Sequence, residues 1–325
     1  AVQATGPLFL AARDPRAILP TPSKASSSLR AMQLPEADRF GLSELTSASG
    51  LRAQFLPTGA LHALREAGTL LNQLLPGPAE EGLFRLLLRW RGERGAARHW
   101  TPLAGPAAEF SPGPTGASWR TRPAEGLSAV TTFSLHPQLA AWCWRVEVVN
   151  DTSVPLLCDV LHAQDLGLAD LAAVRNNEAY VSQYLDLLPV EDAAFGPVIL
   201  ARQNQAMAGG RRPWAAFACA EGAAAFCTDG WQFFGADHRL TGEPAAVRAA
   251  QLPSRRLQYE CALAGLQSRE LRLAPGTRAT FTFLARYLPD HPEISSAADV
   301  ARLRELLPLT WAAPAVAPVA APARA

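Results

Sequence analysis

The stretch Trp142–Asp151, "WCWRVEVVND", decides the fold. Trp142, Trp144, Val146 and Val148 alternate with Cys143, Arg145, Glu147 and Val149, and Asn150-Asp151 supplies a turn. A two-residue period of this kind belongs to an extended strand with one face against a core. The same period runs through "LFRLLLRWR" (83–91). Phe84, Leu86, Leu88 and Trp90 fall on one face there, with Arg85, Arg89 and Arg91 opposite beside Leu83 and Leu87, which predicts a half-buried strand. In "LRLAPGTRATFTFLARYL" (271–288) the pattern predicts a hairpin about Pro275-Gly276. Phe281, Phe283 and Tyr287 share one of its faces, and Thr280, Thr282 and Arg286 the other.

Seven shorter apolar stretches recur between Gly, Pro and Asx punctuation: "LHALREAG", "SAVTTFSL", "PLLCDVLHA", "GPVILARQN", "WAAFACA", "AAFCTDG" and "LQYECALAG". Many short strands at regular spacing predict an all-β protein, a large antiparallel sandwich. Near the C-terminus the period changes. Ser296 with Asp299 resembles a capping box, and Val300, Leu303, Leu306 and Leu307 share one helical face, so a helix is expected from about Ser296 to Leu307. Residues 1–40, with Pro15, Pro20, Pro22 and "SKASSS", read as an irregular leader. Residues 41–292 form the expected sandwich domain. Residues 293–325 hold the linker helix and a Pro/Ala-rich tail, "AAPAVAPVAAPARA", suited to an extended linker.

Composition narrows the function classes. Of 325 residues, 49% are apolar and 18% charged, as in a chain that builds a substantial core. Thirty basic against 29 acidic residues leave a charge of +1 with no dense basic block, which argues against nucleic acid as a partner. No apolar run reaches the roughly 18 residues of a membrane helix, and the first residues lack the basic start of a signal peptide, so no membrane is expected. Lys24 is the single lysine, a bias that a GC-rich coding sequence explains. Cys143, Cys158, Cys219, Cys227 and Cys261 are odd in number and lack CxxC spacing. Buried free thiols in a reducing, cytoplasmic compartment are expected. The six histidines show neither HxxxH nor HxH spacing, so no metal site is expected. No GxSxG elbow, phosphate-binding loop or dinucleotide fingerprint occurs, which leaves no expected cofactor.

The densest polar stretch is "AVRNNEAYVSQYLD" (173–186). Arg175, Asn176, Asn177, Glu178, Tyr180, Gln183 and Tyr184 offer donors, acceptors and aromatic faces that suit sugar hydroxyls. A long loop whose polar groups satisfy backbone atoms is the competing account. Asp159, Asp165, Asp170, Glu178 and Asp186 could supply paired carboxylates for glycoside chemistry, or serve as solvated loop residues and turn caps. Trp214, Trp231, Phe233 and Phe234 could stack on sugar rings or fill a core.

Five segments resemble a known family: "GTLLNQLLPGPAEEGLFRLLLR", "HAQDLGLAD", "VRNNEAYVSQYLD", "TDGWQFFG" and "LQYECALAGLQSRELRLAPGTRATFTFLARYLPDHP". Over about Leu51 to Pro292 the chain resembles the N-terminal β-sandwich domain of glycoside hydrolase family 94, of the 1,2-β-oligoglucan phosphorylase and cyclic β-1,2-glucan synthase type. The resemblance implies a galactose-mutarotase-like supersandwich, joined by a helical linker to an (α/α)6 barrel holding the general acid and the phosphate site. It implies glucosyl transfer between a β-glucoside and phosphate, for which this chain has no barrel, so a non-catalytic carbohydrate-associated domain is expected. The partners it implies are a β-glucan oligosaccharide, the catalytic barrel in cis or in trans, and a second copy in a homodimer. It also makes Arg175, Asn176, Asn177, Glu178, Tyr180, Gln183 and Tyr184 candidates for the active-site rim. Two alternatives stand beside it: an aldose epimerase using His162 or His238 with Glu178 or Glu260, and a purely structural module.

Overall fold

The computed structural model describes residues 40–77, 81–93, 97–258, 261–308 and 311. The leader 1–39, the tail 312–325 and Glu260 lie outside the described residues. Three antiparallel sheets make up the domain. The largest has eight strands in the order Leu185–Asp192, Gly196–Gln203, Trp214–Cys219, Thr277–Leu288, Ala141–Asn150, Leu127–Leu135, Gly116–Ala124 and Glu109–Pro112. The six-stranded sheet runs Ala223–Asp229, Ala262–Ser268, Leu156–Asp165, Arg85–Gly92 and His99–Pro102, with Leu271–Leu273 also paired to Leu156–Asp165. Ser43–Thr46, Leu51–Phe55, Leu61–Glu66, Thr69–Leu70 and Ala169–Asp170 form the five-stranded sheet. Nine of the ten stretches expected from periodicity are largely strand, and of "LQYECALAG" the strand takes in only Ala262 onward, with residues 259 and 260 outside the described residues.

The inner faces of the three sheets meet in one core. Trp142, Trp144, Val146 and Val148 enter it from one side, and Leu86, Leu88, Cys158 and Val160 from the other. Its aromatic centre packs Phe84 flat on Trp144 at 4.5 Å, with Phe55 edge-on to Trp119 at 5.3 Å and to Phe133 at 5.2 Å. Each such ring removes an apolar surface of order 150–250 Å² from water, which makes this cluster the main stabilising mass.

Three of the expectations need correction. Pro275-Gly276 does not close a hairpin, because Leu271–Leu273 pairs with Leu156–Asp165 whereas Thr277–Leu288 pairs with Ala141–Asn150 and Trp214–Cys219. The turn is a corner at which the chain changes sheets. The strand Arg85–Gly92 is not half-buried, since Leu87 and Arg89 are each 1% exposed beneath a helical cover that spans 230–252. At the C-terminus the capping box of Ser296 and Asp299 is present, but the first turn, Ala297–Val300, is a 3-10 helix and α-helix follows only over Ala301–Arg304. Val300, Leu303 and Leu306 pack on the outer face of the eight-stranded sheet with Trp214 and Trp311, while Leu307 is exposed.

Three of the outermost strands carry breakers. Pro189, Pro112 and Pro102 lie in the edge strands Leu185–Asp192, Glu109–Pro112 and His99–Pro102. The remaining edge of the six-stranded sheet takes a parallel bridge between Cys227 and Arg255. Cys143, Cys158, Cys219 and Cys227 are buried and Cys261 is half-buried, all five as free thiols. Burial pushes the thiols of Cys143 and Cys158 up to about 12, so they stay protonated and unreactive. No described helix is long and apolar enough to cross a membrane.

Candidate functional site

Two family-like segments are tied to each other by backbone bonds rather than by chemistry. Asp165, 2% exposed, accepts from the backbone N–H groups of Gln73 and Leu74, both at 2.8 Å. Burial raises its carboxyl above the usual range, against the pull of those N–H groups and Arg85. Asn72 accepts from the Leu64 N–H and donates to the carbonyls of His62 and Leu74. Between them Gly167 is obligatory, because a Cβ there would sit 2.6 Å from the Asn72 carbonyl oxygen.

The polar stretch 173–186 is a helical bracket, not a loop. Helices Leu171–Asn176 and Glu178–Gln183 meet at Asn177, whose side chain caps the second by accepting from the Tyr180 N–H at 3.1 Å. Six-residue helices lie far below the length that is stable alone in water, so packing must hold them. Val174 and Val181, seven residues apart, supply it by burying against Ala63, Leu70, Ala169 and Met207. The opposite face is left to solvent. Arg175, Asn176, Asn177, Gln183, Tyr180 and Tyr184 are all exposed, the last two by 48% and 36%. The side chain of Glu178 lies outside the described residues. Tyr180 and Tyr184 meet edge to face at 5.0 Å, with their hydroxyls 2.5 Å apart. That hydrogen bond raises the Tyr184 phenol above its ordinary value.

A strap from the six-stranded sheet completes this surface. Arg256 pairs with Asp186 at 2.6 Å, and the Gln258 side chain donates to the carbonyl of Gln183 at 2.9 Å and to that of Leu185. Gln232 donates to the Arg255 carbonyl at 3.0 Å, which draws the "TDGWQFFG" turn alongside. Asp229 caps that helix through the Trp231 N–H, and a Cβ on Gly230 would lie 2.8 Å from the Cys261 sulfur. Trp231 projects outward, 64% exposed, whereas Trp214, Phe233 and Phe234 are buried core. Arg256 and Gln258 escaped the reading of the sequence; their only signal was a polar pair beside a recognisable motif.

Of the five carboxylates, the four whose side chains are described do not converge across a cleft. Asp159 is buried against Arg89, Asp165 braces the backbone, Asp170 accepts from the Ala208 N–H, and Asp186 pairs with Arg256. Nor does His162 offer an accessible acid. It is 2% exposed, stacked on Phe283 at 5.0 Å, and desolvation lowers its pKa to about 3 despite a bond to the Ala264 backbone. His238 packs on Phe234 at 4.8 Å, and burial lowers its pKa too. Among the described residues no three His, Cys, Asp or Glu side chains gather as metal ligands.

Comparison with known proteins gives the chain a family. The family described as the SOGP N-terminal domain matches residues 54–285, which include the bracket, the strap and the capped turn. The chain belongs to that family. This SOGP N-terminal domain is 34% identical over 220 residues to a 1,2-beta-oligoglucan phosphorylase of Listeria innocua serovar 6a. The match takes in 67% of this chain and spans only 19% of the length of that relative. Solved structures similar in fold include a polysaccharide lyase (TM-score 0.47, 11% identity, 74% of this chain and 33% of that one). A bacterial glucoamylase complexed with acarbose follows at TM-score 0.45, with 6% identity over 80% of this chain and 33% of its own. An Escherichia coli K12 protein provisionally named an aldose 1-epimerase is similar over 76% of this chain and 99% of its own, at TM-score 0.41 and 9% identity.

Proposed function

We propose that this chain is the accessory sandwich domain of a β-glucan phosphorylase of the glycoside hydrolase family 94 type, and that glucosyl transfer to phosphate belongs to a separate (α/α)6 barrel. The observation that carries this is the match to a 1,2-beta-oligoglucan phosphorylase over a segment amounting to 19% of that protein. The engagement of Asp159, Asp165, Asp170 and Asp186 with groups of this chain, and the burial of His162, support it. In this role the exposed face of Arg175, Asn176, Tyr180, Gln183 and Tyr184, with Trp231 and the strap, meets either the glucan or the barrel. Large amphipathic aromatics with amide neighbours suit both, because they pair a π-face with hydrogen-bonding edges. A homodimer and a cytoplasmic location complete the proposal, the latter supported by five free thiols.

The direct test incubates the purified chain with β-1,2-gluco-oligosaccharides and inorganic phosphate. No glucose 1-phosphate is expected; its release above the uncatalysed background would overturn the accessory role.

A further inference from the structure

Away from the bracket, a groove of ≈ 220 Å³ opens where the edge of the six-stranded sheet, the turn at Gly59 and the loop at Gly242 come together. Glu81, Phe84, Arg85 and Trp100 line it. None of these belongs to the polar stretch or the strap. Its volume lies below the roughly 300 Å³ at which drug-sized ligand sites begin, so it admits one small ring rather than an oligosaccharide. We propose that this groove is a subsite for a single pyranose ring of a glucoside, a ligand class that rests on the β-glucan function proposed above.

The chemistry of the walls selects a neutral, hydroxyl-rich ring. One guanidinium and one carboxylate, with Arg85 Nη2 3.7 Å from Glu81 Oε2, nearly cancel, so neither an anion nor a cation is favoured. Together they still present both donors and acceptors, which sugar hydroxyls need. Arg85 is fixed before any ligand arrives. Its Nη1 donates to the carbonyls of Gly82 at 3.0 Å and Phe84 at 2.8 Å, and its guanidinium lies 5.4 Å over the Phe234 ring. A held side chain loses little rotamer freedom on binding. Trp100, half-buried at the groove wall, supplies the apolar surface on which the C–H face of a pyranose can rest, while Phe84 forms the floor from the core side. The mouth is open at Gly105 and Gly242, where a Cβ would meet nothing within 4 Å.

Saturation-transfer NMR on the full chain, titrated with methyl β-D-glucopyranoside and with sophorose, tests this. Saturable transfer to ring protons of both probes is expected. Glu81 is exposed at the rim, so Glu81→Gln should fold normally and weaken binding about threefold or more, and Trp100→Leu should weaken it roughly tenfold. Absence of saturable binding to the unaltered chain would overturn the subsite, as would undiminished binding by both variants. Loss of binding in Tyr180→Ala/Tyr184→Ala with retention in Glu81→Gln and Trp100→Leu would overturn the groove alone and leave the bracket surface standing.

Discussion

The helical cover over 230–252 closes over polar side chains of the six-stranded sheet, the helical bracket over 171–183 carries its own, and the two concentrations are used in opposite ways. Beneath the cover, Arg89 grips Asp159 through two bonds of 2.7 and 2.5 Å and donates to the carbonyls of Ala246 and Ala249. Gln267 adds a bond of 2.9 Å to the same carboxylate. Those groups are almost wholly buried, and their bonding capacity is turned inward. On the bracket the inward side is two valines, and the polar groups face water. Polar density in a sequence therefore identifies no site until burial tells which groups are already engaged.

The sharpest way to break this comparison is to remove Arg89. Arg89→Ala strands a buried carboxylate and opens the cover, and a loss of about 3–5 kcal/mol is expected from denaturant unfolding. Pairing it with Asp159→Leu should restore much of the loss; a single-variant loss under about 1 kcal/mol would contradict the inward role. A smaller effect is expected from acid. His162 has a folded-state pKa of about 3 against 6.5 when unfolded, so between those values the unfolded chain binds the extra proton. Its contribution is complete above pH 6.5 and is lost as pH falls toward 3, with a slope approaching about 1.4 kcal/mol per pH unit. His162→Leu should flatten the stability profile between pH 6.5 and 5 relative to the unaltered chain, and parallel profiles would refute it. The smallest change is expected on the bracket. Tyr184→Phe removes one exposed hydroxyl bond and should shift stability by less than about 0.5 kcal/mol, checked by the same unfolding curves.

Strand character was legible wherever one face meets the core, as in Trp142–Val149, because alternation records a single boundary between oil and water. Partner choice was not. The segments flanking Pro275-Gly276 have the periodicity of a hairpin, yet their sheet membership depends on Leu156–Asp165, more than a hundred residues upstream. Arg89 looked solvent-facing for a related reason: a cover supplied from 157 residues away buries it. Of the seven residues singled out for their polarity, six are exposed, and the side chain of Glu178 lies outside the described residues. Their helices were missed, because each has two turns at most and is held by Val174 and Val181 rather than by propensity. Trp231 could not be told from Phe233 and Phe234 without knowing which side of that short helix faces the sheet.

The prolines in the edge strands bear on how two copies of this protein could associate. An open strand edge offers unpaired N–H and C=O groups to any neighbouring chain, and a proline withholds one donor and disrupts the ladder. With Pro102, Pro112 and Pro189 on three edges and the Arg255 bridge on a fourth, strand addition at the eight- and six-stranded sheets is disfavoured. Strand pairing between copies is thereby confined to the four- and two-residue edges Ser43–Thr46 and Ala169–Asp170, and self-association elsewhere proceeds through side-chain surfaces, adjustable by single substitutions and clear of the long continuous sheets from which fibrils grow.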